Sequence, residues 1–177
     1  MKSSRKTVQI VILLGVLLIG GYAIGKTLFA DGDTKTPREG KEPPAFTLAG
    51  LDGNTYSLSD YTGKALVITF WGTFCPPCVK EMPEFERQYQ KWQDKPFEIL
   101  AINLSEPDLP VTNFVRQHKL TFPILRDVNR QTERKYGLRS YPTTFFIKPD
   151  GKIMEIVVTP MTEQQIEERV ERLLATL

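Results

Sequence analysis

Two cysteines are the only sulfur nucleophiles in this 177-residue chain, and they stand together as Cys75-Pro76-Pro77-Cys78. That spacing lets the two sulfurs form and break a bond with each other, which is dithiol–disulfide chemistry. The flanking sequence supplies a reason for reactivity. The apolar, β-branched run Ala65-Leu-Val-Ile-Thr-Phe-Trp71 reads as a strand covered on both faces. The two prolines suit a helix's first turn, where N–H groups lack partners. A helix N-terminus stabilises the thiolate, the form that attacks a disulfide. Cys75, at the edge, is expected to attack; Cys78, one turn in, is expected to be more buried and to resolve the mixed disulfide.

Other uses of the pair stay open on the residues alone. Half of a zinc site needs two more ligands, and only His118 is available beside the cysteines. A purely structural disulfide fits an extracytoplasmic protein, but closing so short a loop removes little unfolded-state entropy. Two inert buried thiols fit an oxidising compartment poorly. A lone histidine excludes mechanisms that need paired histidines, and nothing matches a P-loop, a glycine-rich dinucleotide turn or a paired-carboxylate hydrolase site. No metal and no other cofactor is expected.

The compartment is read from the other end of the chain. Val8 to Gly25 (VQIVILLGVLLIGGYAIG) is uncharged and nearly all apolar, and about 18 residues at 1.5 Å each roughly cross the hydrocarbon core. Lys2, Arg5 and Lys6 precede it, which places the N-terminus in the cytoplasm and the rest outside. A cleaved signal peptide is the alternative, but the apolar run is long for one and Leu28 stands where cleavage wants a small residue. Residues 1–30 therefore read as a cytoplasmic tip and transmembrane signal anchor of a single-pass cell-membrane protein. Residues 31–44, polar and rich in Gly and Pro, read as a linker; 45–177 read as the folded extracytoplasmic domain. With Lys2, Arg5, Lys6 and Lys26 set aside, the net charge of +2 becomes −2, so nothing points to nucleic acid.

Within that domain the pattern is α/β. Phe46-Thr-Leu and Tyr56-Ser-Leu flank Asp52-Gly53-Asn54 as a hairpin ahead of the core. The strand at 65–71 leads into a helix reaching about Trp92, with a kink expected near Pro83. A second buried strand spans Phe97 to Leu104, a helix Leu109 to His118, and an apolar run Pro123-Ile-Leu follows, an alternation that implies a partly parallel sheet. A helix from Asn129 to Tyr136 is expected to stop at Gly137. Thr143–Ile147 and Lys152–Val158 pair across Asp150-Gly151, and Glu163 to Leu174 closes the chain as an amphipathic helix.

The run Val67 to Pro83 (VITFWGTFCPPCVKEMP) resembles the active-site segment of the thioredoxin family, and Tyr141-Pro142-Thr143 resembles that family's cis-proline loop. Together they imply a thioredoxin fold with an N-terminal β-hairpin extension, preceded here by one transmembrane helix. The anchor, the segment Pro44 to Lys64, Trp71-Gly-Thr-Phe-Cys75 and Glu81-Met-Pro83 are most similar to the membrane-anchored ResA and TlpA-like thiol-disulfide oxidoreductases. That resemblance implies reduction of the disulfide in apocytochrome c haem-attachment CxxCH sites, with electrons from a membrane thiol carrier of the CcdA type. It implies a cis Tyr141–Pro142 bond beside the cysteines, with Tyr141 and Pro142 offering a docking edge for an extended peptide. Trp71 and Phe74 are candidates to line the binding surface, Trp71 with packing as its alternative.

Departures from the family pattern carry their own implications. Phe74 replaces the usual Trp before the first cysteine. Thr69 stands where cytoplasmic thioredoxins hold a buried Asp, so their internal proton acceptor is missing. Glu81, three residues after Cys78 on the same helix face, is the candidate to exchange a proton with it; a solvated surface Glu is the alternative. Pro76 and Pro77 have no N–H to offer the Cys75 thiolate, which predicts modest stabilisation and a reducing couple. Competing functions are reduction of another envelope or spore protein, a tethered thioredoxin-fold binding module, and a peroxidase, for which Thr73-Phe74-Cys75 has the wrong spacing.

Overall fold

The computed structural model describes residues 9–21 and 36–177. Residues 9–21 form a helix, α1, and residues 36–177 belong to a separate compact unit. None of the helices among the described residues is long and apolar enough to cross a membrane. Val8 and residues 22–25 of the expected span lie outside the described residues, as do 31–35 of the expected linker.

The larger unit is built on one seven-stranded sheet in the order β2-β1-β5-β4-β3-β6-β7. Its strands are β1 (Thr47–Gly50), β2 (Thr55–Ser57), β3 (Ala65–Trp71), β4 (Phe97–Asn103), β5 (Ile124–Arg126), β6 (Thr143–Ile147) and β7 (Ile153–Val157). The helices are α2 (Pro76–Trp92), α3 (Asp108–His118), the short α4 (Gln131–Lys135) and α5 (Glu163–Leu174). Strands β3, β4 and β5 run parallel, joined by helical crossovers, and β6 and β7 return antiparallel. This is the thioredoxin-like arrangement. The expected hairpin does more than precede the core: β1 pairs antiparallel with β5 and extends the sheet.

Central β3 is buried along its whole length because its alternating side chains feed two cores. Ala65, Val67 and Trp71 face one layer with Met82 and Phe85 of α2, Phe114 of α3 and Val170 of α5. Leu66, Ile68 and Phe70 face the other, where Phe46, Tyr61 and Tyr136 cover them. Tyr136 packs on Phe70 and Phe145, each at 5.1 Å between ring centres, so the extension and the α4 turn do the work that a long helix does on the opposite face.

Helix α2 runs unbroken through Pro83. The expected linker is folded in part: Pro37 and Pro43 are buried, and Gly40 N–H and Lys41 C=O exchange bonds of 2.8 and 2.9 Å with Ile153 on the edge strand β7. Backbone groups of an open sheet edge need partners, and residues 40–41 supply some of them.

Candidate active site

The parallel strands set the position of the site. Trp71, Asn103 and Arg126 are in register across the C-terminal ends of β3, β4 and β5, and Phe70 pairs with Thr143 at the start of β6. The loops that follow Trp71 and precede Thr143 therefore leave the sheet at the same end, beyond the C-termini of the parallel strands. The first carries Cys75 and the second Pro142.

Cys75 caps α2, and Cys78 lies in its first turn. The two are joined as a disulfide with their Cα atoms 5.3 Å apart. Cys75 Sγ accepts the Cys78 N–H at 3.3 Å, the bond expected of an N-cap side chain. Pro76 and Pro77 contribute no N–H, so this donor and the helix dipole are what the turn of backbone offers the sulfur. Cys75 is 7% exposed and Cys78 1%, an asymmetry that leaves Cys75 as the sulfur open to attack.

Glu81, one turn beyond Cys78, is no surface carboxylate: it is 2% exposed. Its Oε1 accepts the Met161 N–H at 2.5 Å, and its Oε2 is buried with no hydrogen-bond partner among the described residues. Burial pushes its pKa up to about 7, against the partial opposing effect of the Met161 bond. A group that titrates near neutrality and shares a helix face with the resolving cysteine is suited to taking and returning a proton. Met161 had no signal in the sequence, since its contribution is a backbone N–H. Its placement does have one: Thr162 caps α5 through a reciprocal box with Gln165, with bonds of 3.3 and 2.9 Å, and so fixes the residue before it.

The Tyr141–Pro142 peptide is cis, and Thr143 Oγ1 donates to the Ser140 carbonyl at 2.7 Å across that turn. Pro142 is buried and Tyr141 half-buried, packed against the core that contains both cysteines. The Tyr141 hydroxyl donates to Glu133 Oε1; burial first, and this carboxylate second, raise the phenol to about 12. Phe74 is 54% exposed beside Cys75 and folds its ring over Gly72, at the place a Cβ there would occupy.

Trp71 departs from the expectation of a binding-surface role. It is fully buried, on the face of β3 that meets the helices, with its ring centre 5.1 Å from that of Phe114. Its alternation along the strand decides this: positions 65, 67 and 71 share one covered face. Thr69, in place of an acidic residue, meets Thr144 across β3 and β6 with hydroxyls 3.1 Å apart, a neutral pair in the sheet's centre.

Comparison with known proteins agrees with this geometry. Residues 40–156 match the AhpC/TSA family. The chain is 38% identical over 175 residues to the thiol-disulfide oxidoreductase ResA of Bacillus thuringiensis subsp. konkukian (strain 97-27), covering 98% of this chain and 99% of that one. It is 36% identical over 167 residues to ResA of Bacillus subtilis (strain 168), covering 94% and 92%. The crystal structure of StoA from Bacillus subtilis superposes with a TM-score of 0.63 at 29% identity, over 72% of this chain and 96% of that one.

Proposed function

This chain belongs to the AhpC/TSA family and is a thiol-disulfide oxidoreductase similar to the ResA proteins, and on that premise we propose that it reduces protein disulfides outside the cytoplasm, with the CxxCH disulfide of apocytochrome c as its substrate. The observation that carries the reading is the Cys75–Cys78 pair capping α2 with a single backbone N–H on the outer sulfur. A thiolate stabilised so sparingly leaves the disulfide form favoured, which makes the dithiol a reductant.

The reaction starts once a membrane thiol carrier of the CcdA type has delivered two electrons and opened the pair. The Cys75 thiolate attacks one sulfur of the substrate disulfide, forming a mixed disulfide and releasing the other substrate sulfur as thiolate. Cys78 then loses its proton to the Glu81 carboxylate and attacks Cys75 Sγ. That step closes Cys75–Cys78 and releases the second substrate thiolate; the substrate gains the two electrons that the protein loses. Tyr141 and Pro142 position the substrate's extended backbone, and Phe74 gives it an aromatic wall.

The anchor belongs to this proposal. Nine apolar side chains of residues 9–21, from Ile10 to Ile19, are each more than half exposed, and a helix apolar on all sides is suited to a lipid environment. With Lys2, Arg5 and Lys6 ahead of it, the orientation is N-terminus inside.

Trapping tests the substrate. Full-length chain carrying Cys78→Ser, reduced and mixed with an oxidised CxxCH peptide, should accumulate a mixed disulfide through Cys75, and Cys75→Ser should not. Equal trapping of an oxidised peptide lacking the haem-site sequence would argue for a broader envelope-protein reductase. No trapping of either peptide would leave a binding module.

A further inference from the structure

One carboxylate near the site plays no part in the chemistry above. Glu106 lies in the loop between β4 and α3 and is half-buried, yet its side chain reaches across to the loop that carries Cys75. Glu106 Oε2 accepts the Thr73 N–H at 2.7 Å and the Asn103 side-chain amide at 2.6 Å, and Glu106 Oε1 accepts the Thr73 hydroxyl. Three donors converge on one carboxylate, and two of them belong to the residue two positions before Cys75.

The support behind Glu106 is equally specific. Asn103 Oδ1 accepts the Glu106 N–H at 3.4 Å, and Arg126 of β5 donates to the Glu106 carbonyl at 3.0 Å while also pairing with Asp108. The turn into Glu106 uses Ser105 at φ 61°, a left-handed conformation that costs a non-glycine residue energy, and the Ser105 hydroxyl is held by the Val128 carbonyl. None of this is needed to join the strands. β3 and β4 already pair along seven residues, and the clamp acts beyond the last pair, where the chain has left the sheet. A half-buried carboxylate is an expensive way to add stability alone.

We propose that Glu106 is a positioning residue for disulfide exchange: by gripping both the backbone and the hydroxyl of Thr73 it fixes the Gly72–Cys75 turn, and with it the line along which Cys75 Sγ meets the Cys78 N–H and an incoming disulfide. The turn is closed on its other side by the Cys75 N–H bond to the Gly72 carbonyl at 3.1 Å, so Thr73 is the point at which it can be held from outside. Exchange needs three sulfurs nearly in line, and small misplacement of a reacting atom costs rate steeply.

The proposal rests on the oxidoreductase activity, and its test separates the two. Reduced full-length chain in detergent is reacted with oxidised glutathione, and the pH dependence of Cys75 alkylation by iodoacetamide is followed in parallel. Glu106→Ala should slow exchange roughly 10-fold or more and shift the Cys75 ionisation profile. Glu106→Gln should restore most of the rate, because its carbonyl can accept from Thr73 N–H and Asn103 while its amide donates to the Thr73 hydroxyl. Thr73→Val should fall between these and Thr73→Ser should recover, a pair that carries the test if Glu106→Ala fails to fold. Glu106→Ala exchanging as fast as wild type, or Glu106→Gln as impaired as Glu106→Ala, would overturn the clamp. An inert wild type would overturn the enzymatic reading and the clamp with it.

Discussion

Glu81 and Met161, 80 residues apart, meet in the buried layer under the disulfide, where the Met161 N–H satisfies one carboxylate oxygen and leaves the other with no hydrogen-bond partner among the described residues. A neutral carboxyl has a use for that arrangement, since one oxygen accepts and the other holds the proton. A charged one is left with an oxygen stripped of water. The pair therefore ties Glu81's ionisation to both stability and rate.

Stability should fall as pH rises through the window that Glu81 sets. Its pKa is raised from an ordinary value of 4.5 to about 7. Between those values the folded chain keeps a proton that the unfolded chain has lost, so each step up in pH favours unfolding until about pH 7, where the cost levels off. The full effect is on the order of 3 kcal/mol. Urea unfolding of the oxidised full-length chain at pH 5 and pH 8 should show this loss, and Glu81→Gln should remove it. The same loss in both proteins would assign it to another group.

The rate effect is separable from stability. If Glu81 takes the Cys78 proton, resolution of the mixed disulfide should quicken as pH rises through about 7. In Glu81→Gln that limb should vanish, with resolution following the thiol's own ionisation, ordinarily near pH 8.5, and running roughly 10- to 100-fold slower at neutral pH. Rapid-quench analysis of a preformed mixed disulfide gives the rate directly. A profile unchanged in Glu81→Gln would make Glu81 a packing residue.

The substitution Gly72→Ala separates the aromatic wall from the cysteines. A Cβ at position 72 would collide with the tip of the Phe74 ring, and that ring, 54% exposed, has solvent to swing into. Gly72 itself is buried, but the atoms nearest its added Cβ belong to that exposed ring, so global stability should change by less than about 1 kcal/mol. KM for an oxidised peptide should rise several-fold while reaction with a small disulfide stays near wild type. An equal loss on both substrates would mean that the turn carrying Cys75 had moved instead.

The parts of this site that the sequence makes legible are those encoded locally. The CxxC after a buried run, the bounds of β6 and α5, and the alternation along β3 all depend on neighbours in the chain. The partners that give those residues their properties do not. Whether Glu81 is buried depends on Met161, and its bare spacing from Cys78 fits a solvated side chain as well as a buried one. Trp71 shows the reverse case: its place in a recognised motif argues for a surface role, while its parity with Val67 and Ala65 puts it in the covered layer. The pinning of residues 40–41 to β7 is equally hidden, because a polar, proline-rich stretch reads as a tether whether or not a sheet edge waits for it.

Pro77 sets the last expectation. An N-cap side chain draws on the N–H groups of the second and third helical residues, here Pro77 and Cys78, and proline removes the first of the two. Cys75 therefore has one donor, at 3.3 Å, where it could have two. A second donor would favour the thiolate over the disulfide, because only the reduced form carries the charge it stabilises. The wild-type couple should accordingly lie near or below thioredoxin's, about −270 mV. Pro77→Ala should lower the Cys75 thiol pKa and raise the potential by a few tens of millivolts, since about 30 mV corresponds to 1.4 kcal/mol for this two-electron couple. Equilibration of both proteins against defined thiol buffers measures the difference. A wild-type value near −120 mV, that of the oxidant DsbA, would reverse the direction of the reaction and make the chain an inserter of disulfides.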